Sequence, residues 1–302
     1  MKPVQKRRAL FSFQSALRGV EWPAVPSPRA AGVLSLLFQL EQTQWWPAAT
    51  IADLQFRQLD LLLDHVERSV PFYAERLSAL DRAPGAAMTL ERWRRMPILT
   101  RAEAQESAAS LVSDALPAGH GATFELRTSG STGRPLRTLG TALTQLFWVS
   151  LTLRDHGWHR RDLDQKLAVI RQFEKPHVPG PRGSVAPNWG APTEGVAHTA
   201  ASVSLHIDRT VREQADWLRR ERPRYLLTYP SNAYALAGHF VRHGETLPGL
   251  LEIRTFGEVV DDKVRVACRE AFGVPLVDMY SSQEVGYLAL QCPENEQYHL
   301  QS

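Results

Sequence analysis

Six consecutive small residues, Thr128-Ser129-Gly130-Ser131-Thr132-Gly133, are the part of the 302-residue chain best suited to chemistry. Their hydroxyls and backbone amides can satisfy phosphate oxygens, and glycine lets the backbone approach an anion closely. The run differs from the P-loop pattern GxxxxGK[ST], because no lysine follows the glycine. Most runs of this kind are surface turns, so the segment predicts a phosphate site only together with other motifs.

The elements that must position this segment follow from the hydrophobic pattern of the later chain. Short apolar runs, bounded by Pro, Gly or charged residues, predict buried strands at Leu167–Ile170, Tyr225–Thr228, Ile253–Phe256 and Leu276–Met279. Helical patterns fill the intervals at Thr141–His156, Arg209–Glu221, Asn232–His243 and Asp261–Phe272. Such alternation predicts an α/β fold, with mostly parallel sheets, flanking helices and ligands beyond the carboxyl ends of the strands.

The first third of the chain has a different texture. Helical patterns at Ala30–Trp46 and Thr50–Ser69, with Pro71 ending the second, predict a helical N-terminal region over residues 1–100. Residues 101–302 are then predicted to form an α/β portion that contains the candidate phosphate segment. Within it, the Pro- and Gly-rich stretch Lys175–Gly195 predicts a long loop without regular structure, in which Trp189 packs against a neighbour.

Composition narrows the class of protein. Lys and Arg number 35 against 32 for Asp and Glu, and a surplus of +3 is too small to imply a nucleic-acid partner. The run Arg92-Trp93-Arg94-Arg95 is more typical of a solvated helix face than of a nucleic-acid interface. Two cysteines cannot form a disulfide framework, which favours the cytoplasm, and no apolar run is long enough for a membrane span.

Three separated motifs together resemble a known family. The segment Thr128–Gly133 is followed by Gly257-Glu258 and by Tyr280-Ser281-Ser282-Gln283-Glu284, and in content and order they resemble the adenylate-forming (AMP-binding) superfamily. The segments Ser69-Val70-Pro71-Phe72-Tyr73, Met96-Pro97-Ile98-Leu99-Thr100-Arg101 and Tyr229-Pro230-Ser231 are similar to its phenylacetate-CoA ligase-like branch. The resemblance extends from Ser69 to His299, which is most of the chain.

The resemblance implies a ligase that activates a small carboxylic acid with ATP as an acyl-adenylate and transfers the acyl group to a thiol, most simply coenzyme A. It assigns the β- and γ-phosphates to Thr128–Gly133. Gly257 and Glu258 would flank the adenine, and Tyr280, followed by Ser281 and Ser282, would lie against its face. Glu284 would bind Mg²⁺. The acid pocket would include Tyr229, Ser231 and Tyr287, whereas Trp148 is more typical of a core residue.

Several positions depart from the family pattern. Leu136 stands where a lysine often ends the phosphate loop, so Arg134 or Arg137 would have to supply the charge. In the last motif Ser281 replaces a glycine, and Gln283 replaces a threonine that contacts the α-phosphate. A glutamine amide still donates a hydrogen bond, but its greater length changes where the phosphate sits.

Length is the largest departure. Family members continue to an Asp that holds the ribose, a hinge and a small domain that carries a catalytic lysine, whereas this sequence ends at Ser302. The expectation is a truncated, split or degenerate ligase that alone adenylates weakly or not at all. Some members bind a structural zinc near positions equivalent to Cys292 and His299, but two ligands are too few for a closed site.

Three alternatives stay open from the sequence. The acceptor could be an amine or a hydroxyl rather than a thiol, because the missing domain largely selects it. The chain could instead be a non-catalytic binding module that keeps the nucleotide fold as a scaffold. A nucleic-acid protein acting through the N-terminal arginines would show steep salt dependence of binding. Branch members are often dimers, so the resemblance also allows a homodimer.

Overall fold

The structure, a computed structural model, describes residues 12–78, 87–127, 136–173, 180 and 182–301. The predicted phosphate segment Thr128–Gly133 therefore lies outside the described residues. The chain divides into two compact units. The first contains the residues up to Leu37 with Trp148–Ser282 and Gly286–Gln301, and the second contains Phe38–Phe147 and Gln283–Val285. The predicted division at residue 100 stays a prediction.

The secondary structure is mixed. The described helices are α1 Pro28–Thr43, α2 Ala48–Ser69, α3 Pro71–Ser78, α4 Leu90–Arg94, α5 Arg101–Glu106, α6 Ala142–Trp158, α7 Val211–Glu221, α8 Pro230–His243 and α9 Asp262–Phe272. The described strands are β1 Thr123–Arg127, β2 Arg137–Thr141, β3 Leu167–Arg171, β4 Ser184–Ala186, β5 Ser202–His206, β6 Tyr225–Thr228, β7 Glu252–Phe256, β8 Leu276–Ser282, β9 Gly286–Gln291 and β10 Tyr298–Leu300. None of the described helices is long and apolar enough to cross a membrane.

The second unit is mostly helical. The apolar stripe of α2 packs on Leu77 and Met88, which gives this unit a small core of its own. Pro71 follows the end of α2 and also opens α3, where its missing N–H has no helical partner to lose. Beyond α5, β1 and β2 form an antiparallel hairpin in which Arg127 pairs with Arg137. The predicted phosphate segment belongs to the connection between these two strands.

An eight-stranded sheet organises the first unit, in the order β10-β9-β8-β7-β6-β3-β5-β4. Its five central strands, from β8 to β5, are parallel, and the strands beyond them are antiparallel. Leu218, Phe240 and Cys268 from α7, α8 and α9 pack with Ala168 and Ile253 of the strands in one fully buried core. The α/β fold predicted from the sequence is confirmed.

The four predicted strands and the four predicted helices of this region all form, with ends that differ by at most three residues. Thr210 caps α7, because its hydroxyl accepts from the backbone N–H of Glu213. The prediction of no regular structure in Lys175–Gly195 is wrong for Ser184–Ala186, which pair with β5. Packing of Trp189 is confirmed, since it is 7% exposed and contacts the rings of His156 and Tyr225.

Candidate functional site at the carboxyl edge of the sheet

Strand order defines where a ligand would bind in the first unit. The chain passes from β3 to β5 on one side, then crosses to β6 and continues through β7 and β8 on the other. The direction of winding thus reverses between β3 and β6. In open α/β sheets, ligands bind in the crevice that this reversal leaves beyond the carboxyl ends of the strands. These ends are Arg171, Thr228, Phe256 and Ser282.

Tyr229 and Gly257 meet at this edge. The Tyr229 ring lies 4.9 Å from the Phe256 ring between centroids, and its hydroxyl accepts from the backbone N–H of Gln172 at 3.3 Å. Gly257 has a φ of +78°, which a side chain rarely adopts, and a Cβ there would lie 3.5 Å from Tyr229 Cε1. The glycine therefore lets β7 turn sharply while its backbone stays close to the aromatic ring.

Glu258 and Ser231 are joined by two hydrogen bonds. The backbone N–H of Ser231 donates to Glu258 Oε2 at 2.9 Å, and its hydroxyl donates to Oε1 at 3.0 Å. Ser231 is in the first turn of α8, whose N–H groups lack helical partners, so a carboxylate here is favourable. The structure thus brings together four predicted site residues from two separate segments: Tyr229, Ser231, Gly257 and Glu258.

The third motif occupies the β8–β9 hairpin. Tyr280 is 60% exposed, and Ser281 and Ser282 are half-buried. Gln283 and Glu284 are exposed in the three-residue turn that follows β8. An exposed carboxylate in a turn is a donor that Mg²⁺ accepts, because this ion keeps several waters and takes few protein ligands. Glu284 therefore fits the ion that the resemblance implies.

Two further aromatic residues of the prediction lie near this hairpin. Gly286, which opens β9, has a φ of +79°, and a Cβ there would lie 3.7 Å from the half-buried Trp148. The Tyr287 hydroxyl lies 3.1 Å from Thr152 Oγ1 on α6, and burial raises its pKa. The contacts of Tyr287 are thus in the interior of the first unit, and no contact joins it to Tyr229 or Ser231 among the described residues.

The two residues that were considered as zinc ligands lie near the end of the chain. Cys292 is buried and follows β9, whereas His299 is on β10, where it packs on the Trp158 ring with 5.4 Å between centroids. Across the part of the chain that the structure describes, no three His, Cys, Asp or Glu side chains converge as metal ligands. The two residues do not fit a closed zinc site, which needs four donors.

One feature was missed by sequence reasoning altogether, a set of four buried charges that we call the interior ion cluster: Asp155, Arg161, Glu252 and Arg254. Asp155 accepts from Arg161 Nη1 at 2.5 Å and from Arg254 Nη2 at 2.8 Å. Arg161 Nε also donates to Glu252 Oε1 at 2.6 Å. Two carboxylates and two guanidiniums balance, which is what burial of charges requires.

The cluster sets the ionisation of its neighbours. Burial alone would raise the pKa of Asp155, but the guanidiniums of Arg161 and Arg254 outweigh it and hold the pKa well below its usual range. The side chains of His156 and His159 both pack in the interior beside these charges. Burial, followed by repulsion from the guanidiniums, lowers the pKa of His156 well below its ordinary value.

The arginines that flank the predicted phosphate segment are only partly described. Arg137 Nε lies 3.4 Å from Glu125 Oε1 across the hairpin, so its charge is paired within the second unit. Arg134 lies outside the described residues. Of the two arginines expected to replace the missing lysine, one is therefore already engaged with a carboxylate.

Comparison with known proteins bears on the fold. No protein-family model matches the sequence, and no curated protein matches it significantly. The open conformation of 2-hydroxyisobutyryl-CoA ligase, in complex with 2-HIB-AMP and CoA, matches with a TM-score of 0.63 and 18% identity over 83% of this chain and 58% of the ligase. The same ligase in its thioesterification state matches with a TM-score of 0.63 and 18% identity over 83% of this chain and 53% of the ligase. The chain thus spans little more than half of these proteins, and the likeness concerns the fold.

Proposed function

We propose that this chain, which has the fold of the adenylate-forming enzymes, is the nucleotide-binding portion of an AMP-forming acid ligase. In the first step a carboxylate oxygen of the acid attacks the α-phosphorus of ATP, and the bond to pyrophosphate breaks. In the second step a thiol sulfur, which we assign to coenzyme A, attacks the acyl carbon of the adenylate and AMP leaves. The free, buried cysteines Cys268 and Cys292 suit a cytoplasmic enzyme.

The observation that carries this proposal is the convergence of two sequence motifs at one edge of the sheet. Tyr229 and Ser231 follow β6, Gly257 and Glu258 follow β7, and the Ser231–Glu258 hydrogen bonds join the two loops. This edge is where the winding of the sheet predicts a ligand. If Glu258 were only structural, that role would explain one of its hydrogen bonds to Ser231. It would not explain why the ends of the surrounding loops are exposed.

Each residue of the edge has a task in the proposal. Gly257 and Glu258 flank the adenine, since a glycine in the left-handed region leaves room for a flat ring. The exposed Tyr280 ring covers the base by stacking, with Ser281 and Ser282 beside it. Tyr229 and Ser231 border the acid. Tyr287, whose hydroxyl contacts Thr152 in the interior, would act on the acid indirectly rather than by direct contact.

The phosphates and the metal ion complete the assignment. Thr128–Gly133 supply hydroxyls and amides for the β- and γ-phosphates, and Gln283 offers an amide to the α-phosphate. Glu284 holds Mg²⁺, which supplies charge neutralisation of the triphosphate when bound. The positive charge of this ion matters here, because Leu136 provides no cation at the end of the phosphate loop.

Calorimetric titration of the chain with Mg·ATP tests the proposal. We expect saturable binding with one site, and about tenfold weaker binding in Glu284→Gln, which removes the metal-binding charge. Glu294→Gln, another exposed carboxylate late in the chain, is the matched control and should bind as the wild type. A folded protein that takes up no Mg·ATP, or that binds it equally well in both variants, contradicts the proposal.

A second candidate function, a non-catalytic module that keeps the nucleotide fold, is favoured by Gln283 at the α-phosphate position. Acid-dependent release of pyrophosphate separates the two functions. A ligase releases pyrophosphate only when a suitable acid is present, and Gln283→Thr should increase that release. Because the nucleotide-binding portion of a ligase still binds its acid even where it adenylates weakly, binding of Mg·ATP that no carboxylic acid alters, with no pyrophosphate release from either form, would favour the module.

A further inference from the structure

Arg171 is a cation at the carboxyl edge of the sheet. It is the last residue of β3, it is exposed, and its guanidinium carbon lies 4.8 Å from the centroid of the Phe173 ring. Partial burial lowers its pKa and the nearby Tyr229 phenol raises it, and no carboxylate among the described residues contributes. The guanidiniums of the interior ion cluster, by contrast, each contact a carboxylate.

The neighbours of Arg171 include a histidine and a carboxylate of the adjacent strand and the loop that follows it. On the adjacent strand β5, His206 pairs with Arg171 in register, and its ring lies 6.4 Å from the Phe173 ring between centroids. The backbone N–H of Asp208 lies 3.2 Å from His206 Nδ1. The Asp208 carboxylate lies 3.2 Å from the same Nδ1 and is 79% exposed.

The position of Arg171 relative to the proposed nucleotide residues sets the size of a ligand. In the sheet, β3 is separated from β7 by β6 alone. Two strand spacings amount to roughly 10 Å, so a group held by Arg171 lies about that far from the loop after β7. Tyr229 and Ser231, which border the acid in the proposed function, follow the intervening strand β6, so an acid that lies across them would reach Arg171 with a substituent at its far end.

We propose that Arg171 is a specificity-determining residue that binds a second carboxylate on the acid, so that the ligase activates dicarboxylic acids. The inference rests on the proposed function and deepens it. A guanidinium presents two parallel N–H donors to a carboxylate, and the Phe173 ring holds it in place from one side. Aliphatic monocarboxylic acids would leave this cation without a partner.

Binding of linear dicarboxylates, from pentanedioate to nonanedioate, and of monocarboxylates of the same chain lengths tests the proposal. The affinities are measured by calorimetry in the presence of Mg²⁺ and α,β-methylene-ATP, which does not react. We expect the wild type to prefer the best dicarboxylate by roughly 10- to 100-fold, and Arg171→Gln to remove that preference. Arg171→Lys should keep part of it, because the charge remains while the paired donors are lost.

Arg212→Gln is the matched control, because Arg212 is an exposed arginine of α7 for which no ion pair is present among the described residues. It should behave as the wild type. Equal affinity for the two acid series in the wild type, no binding of either series, or an unchanged preference in Arg171→Gln would each overturn the inference.

The affinity for Mg·ATP alone distinguishes the two anions that Arg171 could bind. We expect Arg171→Gln to bind Mg·ATP as the wild type does. A tenfold loss in this variant would assign Arg171 to a phosphate of the nucleotide and overturn the inference, while leaving the proposed function intact. If the wild type prefers dicarboxylates but does not bind Mg·ATP, the proposed function fails and the assignment of Arg171 stands.

Discussion

The interior ion cluster and the carboxyl edge are both built from charged and polar side chains, but they differ in how completely these are paired. In the cluster, Asp155 lies within 2.5–2.8 Å of Arg161 and Arg254, Glu252 lies 2.6 Å from Arg161, and all four side chains are at least nine-tenths buried. At the edge, Glu258 has hydrogen-bond donors only from Ser231, and Arg171 has no carboxylate partner among the described residues.

The difference separates structural charges from those available to a ligand. A buried charge without a partner is strongly unfavourable, so a cluster that survives in the interior must be neutral within itself. An exposed charge can stay without a partner at little cost in free energy, because water solvates it. The surplus charge at the edge is therefore available to a ligand, whereas the larger number of charges in the cluster indicates only that the interior is balanced.

Removing one charge from the cluster should have the largest effect on stability. Asp155→Ala leaves two buried guanidiniums without their shared carboxylate, and we expect it to lower the free energy of unfolding by about 3–5 kcal/mol. Urea denaturation followed by circular dichroism measures the loss. Asp216→Ala is the control, since Asp216 also meets an arginine at 2.5 Å but is exposed, and it should lose about 1 kcal/mol or less. Equal losses would contradict the contrast.

The pH dependence of stability should come from the cluster's neighbours. The native pKa of His156 is lowered, so below its ordinary value of 6.5 the unfolded chain takes up a proton that the folded chain does not. Stability should therefore fall as the pH drops from about 7 to about 5, with a slope for this group that approaches about 1.4 kcal/mol per pH unit well below 6.5.

His156→Gln should reduce the slope of the free energy of unfolding against pH by the amount that corresponds to about one proton. This holds even if the variant is less stable at neutral pH. The control is His198→Gln, because His198 is exposed and should leave the slope unchanged. Unfolding in urea at several pH values gives the slopes. Identical slopes for the wild type and His156→Gln would show that His156 is free to ionise in the folded protein.

The smallest effect on stability is expected at the edge. Ser231→Ala removes one hydrogen bond to Glu258 Oε1, but the backbone N–H still donates to Oε2 and water reaches both atoms. We expect a loss of about 1 kcal/mol or less, measured by the same urea denaturation. A loss as large as that of Asp155→Ala would mean that the edge is structural and would remove the distinction between the two regions.

Most helices and strands could be predicted from the sequence because burial leaves a local pattern of apolar residues. Tyr225–Thr228 has the apolar pattern of a buried strand, and Asn232–His243 has that of a helix. Both elements form. The Ser202–His206 strand was missed, since serine and histidine alternate in it with valine and leucine. Its strand character depends on pairing with β3 and β4, which no local pattern reveals.

The candidate site was partly predictable for a different reason. Gly257 and Glu258 were found from the resemblance of separated motifs, and the structure adds the partner that Glu258 holds, Ser231. The interior ion cluster was not found, because Asp155 and Arg161 are more than ninety residues from their partners Glu252 and Arg254, and each residue alone is typical of a solvated surface. Only their mutual contacts make burial favourable.

The location of Mg·ATP is the most direct test of the central claim that the carboxyl edge is the ligand site. Hydrogen exchange followed by mass spectrometry, with and without Mg·ATP, measures it. The account predicts slower exchange in the loops that follow β6, β7 and β8, at Tyr229–Ser231, Gly257–Glu258 and Tyr280–Glu284, and unchanged exchange at the opposite ends of these strands. Protection confined to those opposite ends, around Glu252 and Leu276, would contradict it.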